Sequence, residues 1–181
     1  MTILDIRIFG DPVLRQKART VEHFDEHLAR LAADMHETMI EAAGVGLAAP
    51  QVGVLKRLFT WEVDEDAGAV VNPELRDSSE ELQEGDEGCL SFPGLYYPLD
   101  RPLHVEVAHQ DLHGDEHVVR LQGFDARVWL HEMDHLNGIL FIDHLAKHDR
   151  REAMKRMRLL REERGMEEPP RPTGGFLLGR H

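Results

Sequence analysis

Cysteine occurs once in these 181 residues, and tryptophan and tyrosine occur twice each. A single thiol excludes an internal disulfide and fits a reducing compartment. No apolar run nears the roughly 20 residues that a membrane-crossing helix needs. Met1 to Arg7 has neither the basic-then-apolar order of a secretory signal nor the Arg/Ser richness of a transit segment. Positive charge is scarce too. Lys and Arg number 21 against 34 Asp and Glu, a net charge of −13. So acidic a chain does not coat DNA or an anionic membrane with its whole surface. These absences predict a cytoplasmic protein with no membrane and no DNA partner. What is present is ordinary for a globular chain: 41% hydrophobic residues and the length of one domain. At that size folding buries about two-thirds of the chain's surface, enough for a core without staples. Histidine is the exception, at 12 residues, and points to metal binding or proton transfer.

No internal repeat or long linker interrupts the chain. Gly10-Asp11-Pro12 marks a turn. From Glu22 to Ala43, Phe24, Leu28, Leu31, Met35, Met39 and Ala42 recur every three or four positions, which predicts an amphipathic helix closed by Gly44. Strands are expected over Val54–Val63, over Ala69–Asn72 up to Pro73, around Val105 and Val107, and over His117–Leu121. Asp77 to Asp86 reads as an acidic loop. Strands so close together, with no helices between them, favour antiparallel or mixed pairing over a doubly wound sheet. Two helices follow, Phe124–Asn137 stopped by Gly138 and about Asp143–Arg164. The expectation is an α+β fold: antiparallel or mixed β-sheets around a central helix, which carries the His131/His135 pair as candidate metal-binding residues, with one N-terminal and one C-terminal helix. It forms one catalytic domain over 1–164, and the Pro- and Gly-rich segment 165–181 is a flexible tail.

Three segments carry chemistry. His131-Glu132-Met133-Asp134-His135 fits H-E-x-x-H. On a helix, positions i and i+4 share a face, so both imidazoles reach one metal ion and the glutamate sits beside a reacting water. Random placement gives well under one such match, so the pattern carries weight without being decisive alone. The pairs His23/His27, His113/His117 and His144/His148 have the same spacing but no Glu after the first His, and read as solvated surface. A catalytic site needs a third ligand: a distant His, an acid, or Cys89 in Glu87-Gly88-Cys89-Leu90-Ser91. Taken alone, Cys89 reads more simply as a small buried hydrophobe; a nucleophile paired with His is the other reading. Gly44-Val45-Gly46-Leu47-Ala48-Ala49-Pro50-Gln51 leaves bare backbone for an extended substrate and ends in an amide donor, although a helix cap followed by a turn would look the same.

Together these segments resemble the peptide deformylase family, whose signatures G-h-G-h-A-A-x-Q, E-G-C-h-S and H-E-x-D-H occur in order at 44–51, 87–91 and 131–135. Gly10-Asp11-Pro12-Val13-Leu14-Arg15, Asn72-Pro73 and His135-Leu136-Asn137-Gly138 extend the likeness to roughly residues 4–145. Many members carry Gln where this chain has Leu130. Some place an Arg within the stretch that here reads Phe92-Pro93-Gly94-Leu95-Tyr96.

The resemblance implies that Cys89, His131 and His135 hold one divalent ion, Fe2+ in the cell, with Zn2+ or Ni2+ as replacements. It implies Glu132 as general base, Gln51 and the Leu90 N–H as oxyanion donors, and pairing of the Val45 and Gly46 backbone with the substrate. The substrate would be a nascent N-formylmethionyl peptide, cleaved to formate and a free amino terminus. Phe124 and Val128 are candidate walls of the methionine pocket, or plain core. Two other classes stay open: an H-E-x-x-H zinc endopeptidase, with His144 as third ligand, and a non-catalytic ribosome-associated metal domain. Residues 144–164 hold eight basic and four acidic side chains, so the other 160 residues carry −17 of the total. That asymmetry points to a ribosome contact through the basic helix. The alternative is a solvated helix whose Leu145, Met154, Met157 and Leu160 pack on the domain.

Overall fold

Asp25 sets the start of the first helix in a computed structural model that describes residues 2–166. Its carboxylate accepts from the Leu28 N–H (3.0 Å), and α1 runs Glu26–Glu41, four residues later than the periodicity suggests. The closing turn also differs from expectation. Ala43 (φ 54°), not Gly44, takes the left-handed position. The Gly44 N–H donates to Met39 O and the Ala43 N–H to Ile40 O, both 2.9 Å. Gly44 lacks a side chain for another reason: a Cβ there would lie 2.7 Å from Leu90 Cδ1.

Among the described residues nine strands follow: β1 Gly46–Ala48, β2 Leu58–Val63, β3 Asp66–Ser78, β4 Leu82–Gln83, β5 Asp86–Cys89, β6 Phe92–Pro98, β7 Arg101–Pro102, β8 His104–Gln110 and β9 Glu116–Gln122. Five form one antiparallel sheet in the order β1-β2-β3-β8-β9. The pairs β4–β7 and β5–β6 stand apart, also antiparallel. The expected strand at Ala69–Asn72 is only the middle of β3. Pro73 does not end β3 because it falls where the register shifts between Val71 and Glu74, so its missing N–H breaks no regular ladder. The acidic stretch 77–86 is not one loop either, since it holds the end of β3 and all of β4.

Helix α2, Gly123–Leu136, begins directly at the end of β9. The corner needs Gly123, whose φ is 59°. A 3-10 turn at Phe141–His144 precedes α3, Lys147–Glu163, so the last helix starts later than Asp143. The Asp143 carboxylate instead accepts from the Leu140 N–H (2.9 Å) within that turn. Expectations for the tail beyond Met166 lie outside the described residues.

The two faces of the sheet are covered by different helices. Phe59, Val70, Val105 and Val107 pack with Ala126, Trp129, Met133 and Leu136 of α2. Leu47, Leu58 and Val71 pack with Leu28, Ala32, Met35 and Met39 of α1. A third cluster joins Phe92, Leu95 and Tyr97 of β6 to Phe141, Ile142 and, on α3, Ala153 and Met157. Each fully buried Leu, Met or Phe contributes about 1.5–3 kcal/mol by leaving water. The result places α2 between the large sheet and the separate β5–β6 hairpin. Among the described residues, no helix is long and apolar enough to cross a membrane.

Candidate active site

Helix α2 and the β5–β6 hairpin bring three donors together. The thiol of Cys89, at the end of β5, and the imidazoles of His131 and His135 offer ligand atoms all within 4.8 Å of one another. Cys89 Sγ lies 3.2 Å from His135 Nε2. The two rings are one helical turn apart, with centroids 5.0 Å from each other. Both histidines are buried. A Cys/His/His set leaving a fourth position free is the donor chemistry of a catalytic divalent-metal site. His131 is already oriented for it: its Nδ1 donates to Glu87 Oε1 (2.6 Å), which leaves Nε2 for an ion. Burial pushes His135 well below its ordinary range, whereas for His131 burial is outweighed by contacts with Cys89 and Glu87, which raise it well above that range.

Glu87 anchors a buried ionic cluster. Arg101 grips it through Nε (3.0 Å) and Nη2 (2.6 Å) and reaches Asp134 on α2 with Nη1 (2.8 Å). Arg127 reaches Glu87 Oε2 from α2 (3.3 Å). Burial works to raise the Glu87 carboxyl, but the bonds from His131 and Arg101 outweigh it and hold the group well below the usual carboxylate range.

Glu132 is different. It is 3% exposed, and its Oε2 has no hydrogen-bond partner. Burial pushes its carboxyl up to about 7, with Glu87 and Asp134 adding to the rise and His131 opposing it. The backbone of β1 presses against it: a Cβ on Gly46 would lie 2.3 Å from Glu132 Oε1. Only glycine admits that approach. Gln51, 1% exposed, accepts from the Ala48 N–H through Oε1 (2.9 Å). Its Nε2 donates to Ser91 Oγ (3.2 Å) and lies 3.5 Å from Cys89 Sγ. Leu90 opens the turn just after Cys89.

Cys89, His131, His135, Glu132, Gln51, Leu90 and Gly46 thus gather at one place, and Val45, half exposed, precedes Gly46 at the sheet edge. His144 does not join them. Its Nε2 donates to Asp134 (2.8 Å), so it is no third ligand. Phe124 is 53% exposed and therefore not core, whereas Val128 is buried. His148, with Asp149 and Glu152, forms a second donor group on the surface of α3. Glu152 there is already paired with Arg156.

Sequence reasoning passed over the roles of Glu87, Arg101, Arg127, Asp134 and Ser91. One signal was readable: Arg127 sits four residues before His131 on the buried face of a helix, where a cation needs a partner.

A thiol and two buried imidazoles beside a carboxylate with an unpartnered oxygen are the residue set of a metal-dependent hydrolase. The polypeptide deformylase family pattern matches residues 3–151. The peptide deformylase of Parafrankia sp. (strain EAN1pec) is 51% identical over 159 residues, 87% of each chain. That of Acidothermus cellulolyticus is 51% identical over 160 residues, again 87% of each. The crystal structure of peptide deformylase from Thermus thermophilus superposes with a TM-score of 0.82 at 47% identity, covering 90% of this chain and 99% of that one. The Ehrlichia chaffeensis enzyme in complex with actinonin gives 0.85 at 35% identity, covering 90% and 98%. The chain belongs to the peptide deformylase family. It is a hydrolase that removes the N-formyl group from nascent polypeptides, in a family that depends on a metal ion.

Proposed function

We propose that Cys89, His131 and His135 hold one divalent ion, Fe2+ in the cytoplasm with Zn2+ or Ni2+ as substitutes, and that Glu132 is the proton carrier of deformylation. The observation that carries the proposal is the packing of three donor atoms within 4.8 Å beside the unpaired Oε2 of a buried Glu132. The ion would supply Lewis acidity, polarising the formyl oxygen and making a water acidic enough to attack at neutral pH.

The chain's own groups do the rest. Gly46 and Val45 present a strand edge to the extended peptide, which sets the formyl group against α2. Glu132 Oε2 takes a proton from the attacking water and gives it to the departing amine nitrogen, so the products are formate and a free amino terminus. Gln51 Nε2 and the Leu90 N–H donate to the oxygen of the formyl group as negative charge develops on it. Phe124, exposed at the start of α2, and Val128 supply apolar surface for the methionine side chain. The Ehrlichia chaffeensis relative is solved in complex with actinonin, and binding of the same compound at this site belongs to the proposal. The test is anaerobic purification with metal analysis and a formate-release assay on formyl-Met-Ala-Ser. One ion per chain and formate release are expected, with ion and activity both lost in Cys89→Ala. Full activity without bound metal would overturn the assignment.

We also infer that α3 meets ribosomal RNA. Lys147, Arg151, Lys155 and Arg158 are exposed, while Ala153 and Met157 pin the opposite face into the core. Removing the helix would uncover that core, so charge reversal is the cleaner test. Arg151→Glu/Lys155→Glu/Arg158→Glu is expected to reduce ribosome cosedimentation and flatten its log–log salt slope by about two to three. Turnover of a free formyl peptide should hold. Unchanged cosedimentation leaves the helix as packing alone.

A further inference from the structure

The metal-site reading requires two independently built units to stay in register. Two donors ride on α2. The third, Cys89, sits on the β5–β6 hairpin, which shares no hydrogen-bonded ladder with the five-stranded sheet. Backbone pairing therefore does not fix the distance from Cys89 to the histidines, and side chains must.

Arg127 spans that gap. It is 5% exposed, and it leaves α2 one turn before His131. Its Nη1 donates to Leu99 O (2.7 Å) and to Glu87 Oε2 (3.3 Å), and its Nη2 donates to Gln83 O (3.1 Å). Those acceptors belong to three parts of one substructure: β4, β5 and the residue just after β6. The Leu99 N–H in turn donates to Gly85 O (2.9 Å), closing the end of the hairpin. Gly85 is matched to the guanidinium, because a Cβ there would lie 3.2 Å from Arg127 Nη2. A planar fork with fixed donor directions meets three acceptors at once, which a lysine ammonium on a flexible stem does not reproduce. Arg101 grips the same carboxylate from β7 but touches none of these carbonyls among its described bonds.

We propose that Arg127 is a positioning residue that locks the Cys89 hairpin onto the histidine helix and so sets the three-donor geometry. This rests on the metal-site reading above. It predicts that losing the fork loosens the ion before it unfolds the protein. Arg127 touches none of the three donors, so it acts through Glu87 and the hairpin backbone.

The experiment uses the full chain loaded with Ni2+ or Co2+, comparing parent, Arg127→Met and Arg127→Lys. Chelator-driven metal loss is timed, and the thiolate-to-Co2+ absorption band is recorded. Arg127→Met should release metal about 10–100-fold faster, the usual cost of removing a group that supports a ligand. Its thiolate band should weaken or shift. Arg127→Lys, which keeps the charge without the fork, should fall between the two, and it carries the test if the Met variant does not fold. Met35→Ala, in the α1 core, is the control for lost stability: it should lower Tm without hastening metal release. Metal release within twofold of the parent in Arg127→Met, or in Arg127→Lys if only that folds, would overturn the proposal, as would equal acceleration in Met35→Ala. Absence of a thiolate band in the parent would defeat the metal-site reading itself and is distinguishable from both.

Discussion

Glu132→Ala is expected to keep its metal ion and lose about 10²–10⁴ of kcat. The size follows from what Glu132 alone supplies. Its Oε2 is buried without a partner, so no existing bond must break before it accepts a proton. Burial pushes the carboxyl up to about 7, a value at which it can take a proton and give it back near neutrality. Gly46 brings the β1 backbone against the same carboxylate, which holds it beside the strand where the peptide would lie. Glu132→Gln separates shape from proton transfer, because it keeps the volume and cannot carry the proton. The same loss in both variants, at unchanged metal content, is the expected result. A near-normal kcat in the glutamine variant would make Glu132 a spacer. Formate release and metal analysis on the same preparations decide the question.

The parts of this site that were legible in the sequence are those whose partners lie within one turn or one short segment. His131, Glu132 and His135 announce themselves because helical spacing is local. α1 and α2 were readable for the same reason. The hairpin was not. Glu87-Gly88-Cys89 and Phe92-Pro93-Gly94 have the composition of a loop, and glycine and proline hide β5 and β6 from a propensity reading. Their strand character comes from pairing, Glu87 with Tyr97 and Gly88 with Tyr96. Pro73 misled in the same way, since a register shift admits a proline inside β3. The ionic cluster was hidden by distance along the chain. Glu87 meets Arg101, Arg127 and His131 at separations of 14, 40 and 44 residues, and no periodicity reports such contacts.

Those hidden contacts explain why the legible residues work. H-E-x-D-H supplies two imidazoles, but the tautomer of His131 is set by Glu87, and the charge of Glu87 is held by Arg101. Asp134, which reads as a spacer within the motif, accepts from Arg101 and from His144. The His144 that looked available as a third ligand is therefore occupied on the outer side of this cluster.

Gln51→Leu is expected to lower kcat by about 10²–10³, the cost of one oxyanion donor, while metal content holds. The structure makes this a sharper test than the motif does. Gln51 is buried, and its amide cannot flip freely, because Oε1 accepts from the Ala48 N–H and so aims Nε2 at Cys89 and Ser91. Leucine removes both ends of that arrangement. The orphaned Ala48 N–H costs about 1–3 kcal/mol of stability, which appears as a Tm lowered by a few degrees in a domain of this size. That loss belongs to the acceptor end, and the loss in kcat belongs to the donor end. Three readouts separate the roles of Nε2. A fall in kcat at steady KM and full metal content marks a donor to the developing oxyanion. A rise in KM alone marks a substrate contact. Faster metal loss means that the 3.5 Å approach of Nε2 to Cys89 Sγ supports the thiolate, and the oxyanion role then passes to the Leu90 N–H and the ion. The first pattern is expected, because Nε2 has two hydrogens and Ser91 Oγ already occupies the better of its two contacts. The sulfur contact, at its longer distance, is the weaker one and the easier for a substrate oxygen to replace.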